Sequence, residues 1–303
     1  MTNIYDFLKY QPETYKQLTC KDLLFAYYDC PQARHREDIF THHSYLTFTI
    51  HGTKLIQRAG KTWTFTQGCC EFVKKGGFIQ NVYLNEGHRA ITFYLPDNYL
   101  QQLIQEHRRF YRSKIVLHQP TEPIIGLAVN ETTARFVQTL LAFFSQEVPP
   151  AEAVLEERFR ELFYALLTNP KNQSLVTYLN SLTDRPSTSL YEVMEANYMY
   201  NLALSDYARL ACRSLATFKR EFTRVFDTTP GKWLIQKRLA YAQTLLDSTG
   251  KSIADIVFES GFENGAHFSR AFKEKYGTAP LHYRKQSRKN LNATAEILYS
   301  PLS

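Results

Sequence analysis

The sequence predicts an α+β chain of two domains. The first is a small β-barrel or jelly roll with helices; the second is all-α, with two helix-turn-helix units joined by a long helix. Three observations carry this. Seven short runs rich in aromatic and β-branched residues lie between Leu23 and Leu95, separated by glycine turns. One unit occurs twice between Leu204 and Arg284: Phe218, Arg220, Phe222, Thr228 and Pro230 recur 50 residues later as Phe268, Arg270, Phe272, Thr278 and Pro280. Charge is uneven as well. Of a net +7, residues 187–290 hold +6, from sixteen Lys and Arg against ten Asp and Glu.

The bounds agree. A length of 303 residues suits two domains, and 44% hydrophobic content suffices for packed cores. No run of 18 apolar residues exists, so no membrane span is expected. Met1 to Tyr10 lacks the apolar core of a signal peptide. The five cysteines have no metal-binding spacing, and an odd, scattered set suits a reducing cytoplasm. Adjacent Cys69 and Cys70 read as strand neighbours on opposite faces.

In chain order, residues 1–20 read as a polar arm. Strands are expected at Leu23–Asp29, Tyr45–His51, Lys54–Arg58, Thr62–Thr66, Glu71–Lys74, Phe78–Leu84 and Arg89–Leu95. Gly52, Gly60, Gly68, Gly76-Gly77 and Gly87 punctuate them. The barrel interior is expected to be apolar, with Phe48, Ile50, Phe65, Phe72, Phe78, Tyr83 and Phe93 in its lining. A helix from Asp97 to His107 follows, then two stronger ones at about 131–146 and 151–168, broken at Val148-Pro149-Pro150. Residues 169–186 read as a linker around a short helix, and 291–303 as a loose tail.

In the C-terminal half, Ser205 is expected to cap a short helix through about Ala211. A turn over Cys212 and Arg213 follows, and Ser214 caps a second helix with Leu215, Phe218, Phe222 and Val225 on its buried face. In the second unit Ser252 caps a helix ended by Gly261, and Asn264 caps the next, with Phe268, Ala271 and Phe272 inside. Between them, Pro230 opens a long helix whose stripe is Leu234, Ile235, Leu239, Ala242, Leu245 and Leu246. Helix, short turn, helix is the outline of a module whose second helix enters the DNA major groove. Two such helices held at a fixed distance fit successive grooves, about 34 Å apart.

Four stretches carry a family resemblance: "Ser214…Phe218-Lys219-Arg220-Glu221-Phe222", "Lys237-Arg238-Leu239…Ala242…Leu245-Leu246", "Ile253-Ala254-Asp255-Ile256…Gly261-Phe262" and "His267-Phe268-Ser269-Arg270-Ala271-Phe272-Lys273…Gly277…Pro280…Tyr283-Arg284". Together, over roughly residues 187–288, the chain resembles the AraC/XylS family of transcription regulators. Departures are Asp227 where a glycine is usual, Val257 for an alanine, and Ala266-His267 for Ser-Tyr. The resemblance implies a cupin-like N-terminal barrel (1–168), a linker (169–186), a DNA-binding domain (187–290) and a tail (291–303). It also implies a cytoplasmic activator that binds double-stranded promoter DNA and works with RNA polymerase. The helices at 131–146 and 151–168 resemble the family's dimerisation helices, which gives a homodimer; the alternative is that they only cover the barrel. The effector is either a small molecule or a regulatory protein.

The candidate DNA-binding residues are Ser214, Ala216, Thr217, Lys219 and Arg220 in the first unit, and Gly265, Ala266, His267, Ser269 and Arg270 in the second. Thr217 suits a thymine methyl or a hydrogen bond, and the cations suit guanine or phosphate. Gly265 and Ala266 offer no side-chain hydrogen bond, so the first helix is expected to discriminate bases and the second to position the domain. His42, His43 and His51, near a strand of the barrel, are the metal candidates. Neighbouring histidines on a strand would point apart, and no carboxylate follows at a suitable interval within Tyr45–Gly52. No phosphate loop, nucleophile elbow or paired-cysteine zinc pattern is present, so neither cofactor, metal nor enzyme activity is expected.

Overall fold

A computed structural model describes residues 1–30, 36–58, 60–83, 87–110, 122–184 and 189–287. The chain divides into two compact units, Met1–Ser189 and Leu190–Ser303. The expected tail, 291–303, lies outside the described residues.

Unit one is a cupin-like β-domain with helices. It opens with β1 (Thr2–Asn3) and α1 (Ile4–Tyr10), followed by β2 (Lys16–Cys20), β3 (Leu23–Cys30), β4 (Glu37–Thr41), β5 (Ser44–His51) and β6 (Thr53–Arg58). Next come β7 (Lys61–Thr66), β8 (Cys70–Val73), β9 (Gly76–Tyr83), β10 (His88–Leu95), α2 (Asp97–Phe110) and β11 (Ile124–Leu127). Three helices complete it: α3 (Glu131–Phe143), α4 (Glu152–Leu167) and α5 (Gln173–Asp184). The strands form a five-stranded sheet, β1-β4-β9-β6-β7, and a six-stranded sheet, β11-β8-β5-β10-β3-β2. Gly52 shows why one turn needs glycine. Its φ is +77°, and a Cβ there would stand 2.1 Å from the Gly87 carbonyl oxygen.

The six-stranded sheet is buried on both faces, which the alternation of its strands explains. On β10, Ile91, Phe93 and Leu95 face the helices, while Ala90, Thr92 and Tyr94 face the other sheet. On the helical side, Phe25 and Phe93 are cross-strand partners with rings 4.9 Å apart, and Phe159 of α4 lies 5.1 Å from each. This corrects the expected lining. Phe48, Ile50, Phe72 and Phe93 turn toward the helices; Phe65 and Phe78 lie between the sheets; the Tyr83 side chain lies outside the described residues.

The interior is also more polar than expected. Its cavity, about 50 Å³, is lined among others by Tyr28, Glu37, Tyr45, Lys54, His88 and Tyr94. Tyr28 and Tyr94 share a hydrogen bond of 2.7 Å, and Thr47 and Thr92 one of 2.9 Å. Burial pushes the Glu71 carboxyl up to about 8, against the pull of the Lys54 charge, and brings the Lys54 ammonium down to about 8. It also takes the His88 imidazole down to about 3.

Three further readings change. The "polar arm" holds α1, capped by Asn3, whose side chain accepts from the Asp6 N–H; Leu8 is fully buried between the sheets. The segment read as linker contains α5, whose Leu175, Val176 and Leu179 enter the helical core. A strand-like run hides neither feature, but both depend on partners far away in the chain. His42 and His43 sit in the bend between β4 and β5 rather than on a strand, with ring centroids 4.1 Å apart. Among the described residues, no group of three or more His, Cys, Asp or Glu is placed to hold a metal ion. No described helix is long and apolar enough to cross a membrane.

A raised carboxyl pKa means that the folded state keeps its proton longer than the unfolded state, so Glu71 costs stability as pH climbs from about 5 to about 8. Glu71→Gln removes that cost. Its stability relative to the parent, measured by chemical denaturation, should therefore rise steadily between pH 5 and pH 8. The Lys54 ammonium contributes above that window. A difference that is flat with pH would show that Glu71 is ionised in the fold.

Candidate nucleic-acid interface

Unit two contains α6 (Leu190–Asn197), α7 (Leu204–Leu210), α8 (Leu215–Phe226), α9 (Pro230–Ser248), α10 (Ile253–Glu259) and α11 (Gly265–Tyr276), with a further helix at 280–287. The repeat becomes a repeated scaffold. Phe222 stacks on Phe226 at 4.3 Å and meets Trp233 edge-on at 6.1 Å. Fifty residues on, Phe272 lies 4.5 Å from Tyr276 and meets Tyr283 edge-on at 5.4 Å. Phe218, Phe222, Phe268 and Phe272 are all fully buried. Edge-on and offset pairs of this kind add about 0.5–1.5 kcal/mol each beyond area burial.

The helix ends correspond too. Ser214 Oγ accepts from the Thr217 N–H at 3.2 Å, and Asn264 Oδ1 accepts from the Ala266 and His267 N–H groups at 2.8 and 3.2 Å. Each satisfies donors that a helix start leaves orphaned. At the far ends, Asp227 (φ 49°) and Gly277 (φ 77°) both adopt the left-handed conformation. Asp227 thus does the work of the usual glycine.

The first helix start differs from the expected one. Ser205 is not the cap; Ala203 is, and its N–H donates to the Asp206 carboxylate at 3.1 Å. The counterpart is Ser252 with Asp255, 49 residues later. The register therefore changes from 49 to 50 inside the turn, where Gly261 to Asn264 replaces Cys212 to Ser214 with one extra residue. Phe262 N–H still donates to Val257 O, as Arg213 N–H does to Ala208 O, both within 3.0 Å. Two residues expected on the buried face of α8 are not there: Leu215 is 38% and Val225 60% exposed. Phe218 and Phe222, one turn apart, fill the narrow contact together with the half-buried Phe226.

With those faces buried, the opposite faces are presented to solvent. Ser214, Ala216, Lys219 and Arg220 are exposed and Thr217 is half-buried; Gly265, Ala266, His267 and Arg270 are exposed and Ser269 is half-buried. The side chains of Lys219, Arg220 and Arg270 make no hydrogen bond or ion pair with a described residue. Other arginines are committed to the scaffold. Arg213 pairs with Glu221 at 2.6 Å, and Arg238 of α9 donates to the Tyr198 and Tyr200 carbonyls at 2.7 and 2.9 Å. The Arg238 contact also explains Gly261, whose Cβ would stand 2.8 Å from Met199 O and 3.0 Å from Arg238 Nε.

Two helix-turn-helix units on one long helix, each offering an exposed cationic face, define a DNA-binding regulator. Comparison with known proteins agrees. The helix-turn-helix domain family matches residues 207–286, and the family of the ExsA N-terminal regulatory domain matches residues 44–178. The HTH-type transcriptional regulator ExsA of Pseudomonas aeruginosa is 27% identical over 236 residues, 78% of this chain and 84% of ExsA. The virulence regulon transcriptional activator VirF of Yersinia enterocolitica is 24% identical over 239 residues, 79% of this chain and 88% of VirF. Among solved structures, ToxT from Vibrio cholerae aligns over 86% of this chain and 97% of its own, at 12% identity and a TM-score of 0.40. The chain is similar to regulators of the AraC/XylS family in both domains and is a sequence-specific DNA-binding transcription regulator.

Gly261→Ala puts a Cβ on a left-handed residue and against Met199 O, so it should cost about 1–2 kcal/mol or more in conformational strain alone. Cys212→Gly, at the equivalent turn with φ 56°, should cost nothing or stabilise slightly. Thermal denaturation followed by circular dichroism ranks the two; equal midpoints would contradict the turn geometry.

Proposed function

We propose that the chain is a cytoplasmic transcription activator that lays α8 and α11 into successive major grooves of double-stranded promoter DNA. The observation that carries this is the pair of exposed faces set out by one repeated aromatic scaffold. Thr217, Lys219 and Arg220 read base edges in one half-site, with Ser214 and Ala216 lying close to the groove. Gly265 and Ala266 let α11 approach closely, while His267, Ser269 and Arg270 hold phosphate and sugar. Activation is what the name of the relative VirF suggests, and working with RNA polymerase is part of the same reading. We read the chain as a regulator and not as an enzyme.

Control by a protein partner fits the first unit better than a ligand inside its sheets. Ligand pockets for drug-sized molecules are roughly 300–1,000 Å³; the interior space is about 50 Å³. A larger space of about 470 Å³ is an open groove outside the sheets, bordered by Tyr15, Lys16, Tyr27, Ile50, Leu141 and Phe144. Self-association through α3 and α4 has less support. Phe144, Leu140 and the α4 stripe of Leu155, Phe159, Leu162, Phe163 and Leu166 are buried in the domain's own core, and Phe136 and Phe143 are half-buried against it, which favours the covering role.

Binding-site selection with full-length variants tests the reading. Thr217→Ala and Lys219→Ala should relax preference at defined positions of one half-site, each losing about 1–3 kcal/mol of discrimination. Arg270→Ala should weaken binding evenly across sequences and flatten its salt dependence. The assignment is reversed if Arg270→Ala alters the motif while the other two leave it intact.

A further inference from the structure

The two exposed helix faces match in position but not in charge. Along α8 the exposed cations are Lys219, Arg220 and Arg224; along α11 they are Arg270, Lys273 and Lys275, of which Lys275 is turned to the scaffold and donates to the Gln236 carbonyl at 3.0 Å, and the twin of Arg224 is Glu274. Arg224 and Glu274 are both exposed, and neither side chain makes a hydrogen bond or ion pair with a described residue. Glu221 pairs with Arg213 and Lys275 with the Gln236 carbonyl, so neither belongs to the outward face; what remains there sums to +3 in the first unit and +1 in the second. No structural task accounts for the acid: the fold holds α11 by Phe268, Phe272 and Tyr276, and Glu274 takes no part.

Helix geometry says what that position meets. Residues four apart share a face, so Arg224 follows Arg220, and Glu274 follows Arg270, one turn farther from the N-terminal end. Each helix has 12 residues and is about 18 Å long. The major groove is only about 12 Å wide and curves away from a straight rod. With the N-terminal turn at the base edges, the last turn comes alongside the phosphate backbone. A guanidinium there anchors; a carboxylate there repels.

We propose that Glu274 is an electrostatic brake on the second helix-turn-helix unit, and that Arg224 is the matching anchor on the first. The inference rests on the reading that both outward faces meet DNA. The first unit then docks tightly and the second engages only where its site supplies enough favourable contact. Removing a phosphate anchor or adding a repulsive charge lowers non-specific affinity, which is set almost wholly by backbone charge. The acid thereby sharpens the contrast between true and random sites.

The test uses the full-length protein with two duplexes, one obtained by binding-site selection and one of random sequence, titrated across salt. Glu274→Arg should raise affinity for random DNA about three- to tenfold near 0.1 M salt and steepen the log–log salt slope by about one. Glu274→Gln should give a smaller gain, about two- to threefold, with little change of slope. Arg224→Gln should weaken both duplexes and flatten the slope by about one. Circular dichroism melts of all three should match the parent, since none of these side chains is held by the fold. Lys219→Ala, measured in parallel, reports whether the helix faces meet DNA at all. Loss with Lys219→Ala but unchanged affinity and slope for both Glu274 variants overturns the brake alone. No change in any variant overturns the reading of the faces as well. Weaker binding by Glu274→Gln, confined to sites with a cytosine at one position, would make Glu274 a base reader and also overturn the brake.

Discussion

The stacked aromatic side chains of the C-terminal unit decide most of what this protein presents to DNA. A helix has one buried stripe, and whichever side chains occupy it dictate which others face outward. Phe218, Phe222 and Phe226 bind α8 to Trp233; Phe268, Phe272 and Tyr276 bind α11 to Tyr283. The two sets use the same spacing, so both reading helices emerge with the same rotation about their axes. Arg238, donating to the carbonyls of residues 198 and 200, ties the middle helix to the segment before α7. Chemistry can then vary on the outward faces without disturbing the scaffold, and the two helices have diverged there.

The N-terminal unit solves a different problem. Its six-stranded sheet buries both faces, one under α2 to α5 and the other against the second sheet. Phe159 wedged against Phe25 and Phe93 locks α4 to the sheet. The interior is left to polar and ionisable groups: Tyr28 pairs with Tyr94 and Thr47 with Thr92, while Tyr45 Oη, Glu71 Oε2 and His88 Nε2 have no hydrogen-bond partner among the described residues. Buried ionisable groups of this kind, held neutral by desolvation, store a dependence on pH.

Much was legible in the residues alone. Periodicity, caps and the 50-residue repeat located α8, α9 and α11 to within a residue or two, because those helices are shaped by contacts close in sequence. The strand runs from Leu23 to Leu95 were legible for the same reason: alternation and glycine turns are local. The candidate residues Thr217, Lys219, Arg220 and Arg270 could be picked out as outward-facing once Phe218, Phe222, Phe268 and Phe272 were assigned inward.

What the sequence could not supply was decided by distant partners. Whether Phe48, Phe72 and Phe93 faced another sheet or a layer of helices depended on which face α4 covered, and alternation is the same in either case. Residues 1–10 looked polar because a seven-residue helix shows only two turns of pattern, and Leu8 earns its burial from strands that come later. Ser205 looked like a cap by residue type, yet Asp206 reaching back to Ala203 sets the true start. The extra residue in the second turn was hidden because the offset is 50 on one side of it and 49 on the other. Short-range order was written in the sequence; which face met which neighbour was settled by tertiary packing, since burial depends on elements that the local pattern does not contain.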